Sequence, residues 1–416
     1  MVDLMNPPPP TAPLTLSLDA YQGVVGASEI AELRNLARQL AGRSMKMVNS
    51  TAVGGGVAEI LNRLLPLLQD LGLDARREIM TGGDDFFEVT KGFHNALHGA
   101  PYEPQPRAFD IFRAYTEQNL AQMEFNEDFI VIHDPQPAGL IAARDRSHAP
   151  WIWRCHIDAS QPHPAVWDFL HEYVRRYDAT IFSSANFTRG LQIPQYRFYP
   201  SIDPLAEKNH DLEPAFIQQT LEKFHIDPEL PILTQVSRFD RLKDPLGVIQ
   251  AYRMVRRYFS CQLVLVGGGA KDDPEGGQVL AEVREAAAND PHIHILDLPP
   301  WSALEINALQ RASTIIIQKS LREGFGLTVT EGLWKKKPVV ASAVGGIPAQ
   351  VIHKITGMLT HSIEGTAFQI RYLLSNPAFA QQLAENGQQH VRSNFLITSN
   401  LKRYLLLCLL HAPRSS

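Results

Sequence analysis

Four charged side chains hold most of the chemical promise in this chain: Arg238 and Lys243 in RFDRLKDP, and Glu323 and Glu331 in EGFGLTVTE. Arg238 and Lys243 follow a strand pattern ending at Ser237 and precede a helical pattern over 245–258. Two cations placed there can clamp a pyrophosphate, the guanidinium by its fork and the ammonium as a point charge. Surface salt bridges to Asp240 and Asp244 fit the same spacing equally well. The second segment, Glu323, Gly324, Phe325, Gly326 and Leu327, follows the strand pattern 314–318. Gly324 and Gly326 let backbone approach a ligand closely. A helix starting near Leu327 aims its unpaired amides at the same place, a natural phosphate seat. Glu331, eight positions after Glu323, falls about one turn into that helix. The two carboxylates therefore reach different parts of one extended ligand, such as two sets of sugar hydroxyls. Two solvated glutamates are the generic alternative; the Gly-x-Gly between them favours a site.

Smaller signals sit in the first half. His133-Asp134 and His156-x-Asp158 each end an apolar run. His133 reads equally well as a histidine satisfied in a core. Gly54-Gly55-Gly56 precedes a helical pattern over 57–71 and fits a phosphate-approach loop or a flexible turn. Gly345-Gly346-Ile347-Pro348 reads first as a tight turn. No H-E-x-x-H occurs, so no catalytic metal is expected. Neither glycine run completes G-x-G-x-x-G: Glu59 and Asp272 occupy the third positions. This disfavours a nicotinamide dehydrogenase. No P-loop is present, and no two aspartates stand at i, i+2, so a D-x-D metal clamp is absent.

These residues need elements to hold them. Strand patterns at 45–48, 75–80, 129–133, 151–155 and 179–183 alternate with loops and helices. A second series, 232–237, 262–266, 293–296, 314–318 and 338–341, does the same after Asp203-Pro204. The expected fold is α/β: two doubly wound, Rossmann-like domains facing a cleft, with ligands at the carboxyl ends of parallel strands. The boundaries read as 1–204 and 205–416. Residues 1–13 form a disordered proline-rich arm, and the final helical stretch either packs on the second domain or crosses back to the first.

Length and composition agree. The 416 residues suit two domains, and 44% apolar with 20% charged residues is ordinary for a globular chain. A net charge of −5, from 39 basic and 44 acidic residues, argues against nucleic acid as a partner. Three scattered cysteines and no signal or membrane-length apolar run point to a cytoplasmic protein.

SRFDRLKDP, EGFGLTVTE and GGIP together resemble the second domain of retaining GT-B glycosyltransferases of family 4. VNSTAVGGGVAEILNRLLPLL, FFEVTKGFHNALHG, VIHDPQPAGL and WRCHIDAS are similar to the trehalose glycosyltransferring synthases and retaining trehalose phosphorylases, and the short chain resembles the synthases. The resemblance implies a retaining hexosyltransferase that makes α,α-trehalose from UDP-glucose or ADP-glucose and glucose, reversibly and without a metal or other cofactor. It implies that Arg238 and Lys243 hold the donor diphosphate, that Glu323 bonds the donor glucose and that Glu331 bonds the ribose. Gly324, Phe325, Gly326 and Leu327 would bind the donor, the amides near Gly326 and Leu327 seating its phosphate, with Gly55 and Gly56 approaching the diphosphate and acceptor. His156 would lie near the transferred sugar, and Asp134, Gln136 and Asp158 would serve the acceptor. No nucleic-acid or membrane partner is implied; a homodimer is compatible. A phosphorylase, a different acceptor, or a sugar-nucleotide sensor without catalysis are the alternatives.

Overall fold

The computed structural model describes residues 16–51, 55–103, 105–268 and 274–412. The proline-rich arm and Gly54 lie outside them. The chain divides into two compact units: residues 16–201 with 397–412, and Ile202–Leu396.

The first unit holds β1 (Ser44–Asn49), β2 (Asp74–Ile79), β3 (Phe129–His133), β4 (Trp151–Cys155), β5 (Ala179–Phe182) and β6 (Gln195–Arg197). They form one parallel sheet in the order β2-β1-β3-β4-β5-β6. β3 and β4 are buried along their whole length, as expected where helices cover both faces. One face carries Trp151 and Trp153 into a core with Phe86, Phe93 and Phe112. These phenylalanines come from the helices Asp84–Leu97 and Pro106–Gln122, which the sequence outline above does not include.

The second unit holds β7 (Ile232–Val236), β8 (Gln262–Gly267), β9 (Ile293–Asp297), β10 (Ile315–Gln318), β11 (Val339–Ser342) and β12 (Met358–Thr360). The order is β12-β11-β10-β7-β8-β9, again all parallel. Counted within the unit, this is the doubly wound order 3-2-1-4-5-6, which reverses direction between its first and fourth strands. Here those strands are β7 and β10, and their carboxyl ends are where a sheet of this order places its ligand crevice.

The sequence boundary at 204 moves to Ser201/Ile202. Ile202 N–H donates to Phe395 O at 2.9 Å, so the two crossing segments pair side by side. The final helix, Ile397–His411, belongs to the first unit. It buries Ile397, Leu401, Leu405 and Cys408. Its Asn400 donates to Ser201 Oγ at 3.0 Å, and Tyr404 packs edge-on against Phe198.

Candidate active site

At the β7/β10 switch point, Gln235 is the buried tie between the two strand ends. Its side-chain amide donates to Lys243 O at 3.0 Å and its carbonyl accepts from Lys319 N–H at 3.1 Å. Leu321 N–H also donates to Leu242 O at 2.7 Å. The turn after β7 is built by two aspartates. Asp240 accepts from Leu242 N–H at 2.7 Å, and Asp244, at φ 47°, caps the helix Pro245–Arg256 by accepting from Gly247 N–H.

The two cations go different ways. Arg238 is 60% exposed and pairs with Asp240 at 3.0 Å. Lys243 does not pair with Asp244. It reaches Glu323 Oε2 at 2.7 Å, while Asp244 pairs with Lys319. Ser320 Oγ donates to the same Glu323 oxygen at 3.1 Å. A carboxylate buried to this degree needs such partners, and they set its position.

The Gly-x-Gly loop is pinned from below. Gly326, at φ 82°, caps the helix Leu327–Trp334. The amides of Leu327 and Thr328 have no intrahelical acceptor by position. The Gly345-Gly346 turn proves more than a turn. A Cβ on Gly345, at φ 55°, would lie 1.6 Å from Glu323 O. Gly346 N–H donates to Gly324 O at 3.2 Å. Phe325 is buried, packed on Phe395.

Glu331 points inward and is 3% exposed. Gln310 donates to one of its oxygens at 3.1 Å and Lys208 lies 3.8 Å from the other. Lys335, one turn on, donates to Asn209 Oδ1 at 3.1 Å. Burial pushes its ammonium down to about 7, against the support of Glu331; Arg311 and Lys208 lower it further.

In the first unit, Gly55 and Gly56 are the opening residues of the helix Gly55–Asp70 rather than part of a loop. Arg77 braces the segment before them, donating to Asn49 Oδ1 and Asn62 Oδ1, each at 2.8 Å, and to Thr51 O. At the ends of β3 and β4, Asp134 adopts φ 68° and accepts from His156 N–H at 2.8 Å. Burial raises the Asp134 carboxyl to about 6, against that hydrogen bond and the Arg154 charge. The His133 and His156 rings stack, with His133 Nδ1 and His156 Nε2 3.1 Å apart. Asp158 turns to its own backbone, accepting from Ser160 N–H at 3.0 Å. Gln136 Oε1 is buried without a hydrogen-bond partner among the described residues.

The geometry thus gathers Lys243, Glu323 and the 324–327 loop at one strand junction, and Asp134 and His156 at another. Arg238 is exposed on the loop after β7, paired with Asp240, and Glu331 is buried in the helix Leu327–Trp334. Sequence reasoning passed over Gln235, Lys319 and Ser320, although 319 and 320 directly follow a buried strand. It also passed over Arg77 and Arg154. A cation directly after a buried strand was the available signal for Lys319; Arg77 lies inside β2 and gave no such signal.

The family model described as "Trehalose synthase, N-terminal domain" matches residues 47–189, and that described as "Glycosyl transferases group 1" matches 216–390. The trehalose synthase of Rubrobacter xylanophilus is 43% identical over 404 residues, 94% of this chain and 96% of that protein. The chain belongs to the trehalose synthase family. Another member, the trehalose synthase of Pyrococcus horikoshii, is 41% identical over 401 residues, covering 93% of this chain and 95% of that one. Among solved structures, the trehalose-6-phosphate synthase OtsA superposes with a TM-score of 0.70 at 13% identity, covering 88% of this chain and 99% of that one. The fold of this trehalose synthase family member is therefore GT-B, and it is a glycosyltransferase of trehalose chemistry. No described helix is long and apolar enough to cross a membrane.

Proposed function

We propose that the chain transfers glucose from a nucleoside-diphosphate glucose, UDP-glucose or ADP-glucose, to free glucose, forming α,α-trehalose and the nucleoside diphosphate, reversibly and with retention, in the cytoplasm. The observation that carries this reading is the Lys243–Glu323 pair at the β7/β10 switch point, beside the open amides of Leu327 and Thr328.

Each part has a task. Lys243, joined by the exposed Arg238, takes the diphosphate, whose charge grows as the glycosidic bond breaks. The helix N-terminus adds to that stabilisation. Glu323, fixed by Lys243 and Ser320, accepts from hydroxyls of the donor glucose, and Glu331 serves the ribose. His156 lies by the transferred sugar; Asp134, Gln136 and Asp158 orient the acceptor. No carboxylate is assigned as nucleophile. Attack comes from the face the diphosphate leaves, and a phosphate oxygen takes the proton of the acceptor hydroxyl. Catalysis is then positioning plus electrostatics. Cationic side chains do what a D-x-D-bound metal does elsewhere, so full activity is expected in EDTA.

The test is nucleoside-diphosphate release from UDP-glucose and ADP-glucose with glucose, with glucose 6-phosphate, and with no acceptor, each with and without EDTA. Release that requires glucose and survives chelation is expected. A requirement for glucose 6-phosphate, or phosphate-dependent cleavage of trehalose in its place, would replace this reading by a different acceptor or a phosphorylase. Binding without release would make the chain a sensor.

A further inference from the structure

His133 is buried, 1% exposed, and sits in register with Arg154 on the neighbouring strand, so both side chains leave the same face of the sheet. Arg154 is itself 1% exposed. Its Nη2 donates to Phe198 O at 2.7 Å, while Nε and Nη1 are buried without a hydrogen-bond partner among the described residues. His133 Nε2 is buried in the same condition. The other ring nitrogen, Nδ1, meets His156 Nε2 at 3.1 Å. The carboxylate beside the pair, Asp134, binds the backbone N–H of His156, not a ring nitrogen.

Only one proton can sit between His133 Nδ1 and His156 Nε2, and the surroundings decide whose it is. Guanidinium groups donate and never accept. Next to Arg154, with Arg77 as a second cation, His133 Nε2 is favoured as a bare lone pair and disfavoured as an N–H. A neutral imidazole without a proton on Nε2 carries it on Nδ1. His133 Nδ1–H therefore donates to His156 Nε2. That leaves His156 its proton on Nδ1, the ring nitrogen of the pair not engaged by His133 and not among the buried unpartnered atoms.

We infer that His133 is a positioning residue that holds His156 as the Nδ1–H tautomer, so that His156 meets the sugar as an uncharged hydrogen-bond donor and not as an acid or base. Its use toward a donor sugar rests on the function proposed above; the tautomer itself does not. Asp134, whose carboxyl burial raises to about 6, binds the His156 backbone N–H and no ring nitrogen, and the other groups around the pair keep it neutral. Burial, then Arg154 and Arg77, holds His133 at about 3, and burial, Arg154 and His133 hold His156 far below the usual imidazole range. Tyr404, facing Arg154 from the final helix, is pushed up by burial to about 12 and stays neutral. A neutral donor suits a sugar hydroxyl next to an anionic leaving group, since it adds no proton that the leaving phosphate must compete for.

The test is nitrogen NMR of the full chain labelled with ¹⁵N-histidine, with the His156 signals assigned by their loss in His156→Gln. The expected spectrum shows His156 protonated on Nδ1 and bare on Nε2, unchanged from pH 5 to 8. In His133→Phe the His156 proton should move to Nε2 or exchange between both nitrogens, with kcat at least tenfold lower. His133→Asn, whose amide N–H can stand near the lost Nδ1–H, should restore the tautomer and most of kcat. His156 protonated on Nε2 in the unmodified chain, or a tautomer indifferent to His133→Phe, would overturn the inference. Failure to form trehalose would instead overturn the function and leave the spectrum as described.

Discussion

Lys243 Nζ and Glu323 Oε2 lie 2.7 Å apart although 80 residues separate them in the chain. The doubly wound order makes this neighbourhood, because it sets β7 beside β10 and so brings the loops after both strands to one junction. A cation and a buried carboxylate are thereby held as one preorganised pair, which under the proposed function would serve the leaving group and the sugar hydroxyls. Arg238, five residues before Lys243, stands apart from it on Asp240.

The two cations should separate stability from catalysis. Lys243→Met leaves the Glu323 carboxylate with Ser320 alone among the described residues, and unfolding in urea should show a loss of about 1–3 kcal/mol. Arg238→Ala removes a side chain that is 60% exposed, and stability should stay within about 0.5 kcal/mol. Both should lower kcat by about 10²–10³, as removal of a transition-state charge partner does. Near-normal turnover in either variant would remove that residue from the diphosphate clamp.

Gly345 should prove as necessary as the residues it supports. An added methyl would lie 1.6 Å from Glu323 O, in a left-handed conformation that alanine resists. Gly345→Ala should cost about 1–3 kcal/mol in a denaturation curve and lower kcat by moving Glu323. Gly190→Ala, whose methyl meets nothing within 4 Å, is the neutral comparison.

Lys335 makes stability depend on pH in the alkaline range. Its ammonium is held down to about 7 in the folded chain and titrates at about 10.4 when unfolded. Between these values the unfolded state binds the extra proton, so this group makes the fold more stable as pH rises. Denaturation midpoints measured from pH 7 to 9.5 should climb less steeply in Lys335→Met than in the unmodified chain. Parallel pH curves for the two would refute the buried charge.

The strands and their loops were legible because parallel strands buried on both faces are written as runs rich in apolar and β-branched residues, such as 129–132 and 315–317. The helix start after Gly326 was legible from glycine and the change of pattern. Partner choice was not. Nearness in sequence suggested Lys243 with Asp244, but Asp244 caps a helix and takes Lys319, so Lys243 is left to reach across to β10. Nor does spacing show that the 345–346 turn packs on the Glu323 carbonyl, or that His133 bonds His156. Those contacts depend on which strand lies beside which, and sequence alone leaves that order open. The glycines at 55 and 56 read as loop because glycine weakens helices, yet both sit in the first turn, where that penalty is least felt.

The most direct test of the account is proton NMR of the first product formed from α-configured UDP-glucose or ADP-glucose and free glucose. The account predicts a disaccharide whose two anomeric protons are equivalent and α, the α,α-1,1 linkage formed with retention. A product with a β anomeric proton at the transferred glucose, or one joined through any other hydroxyl, would contradict it.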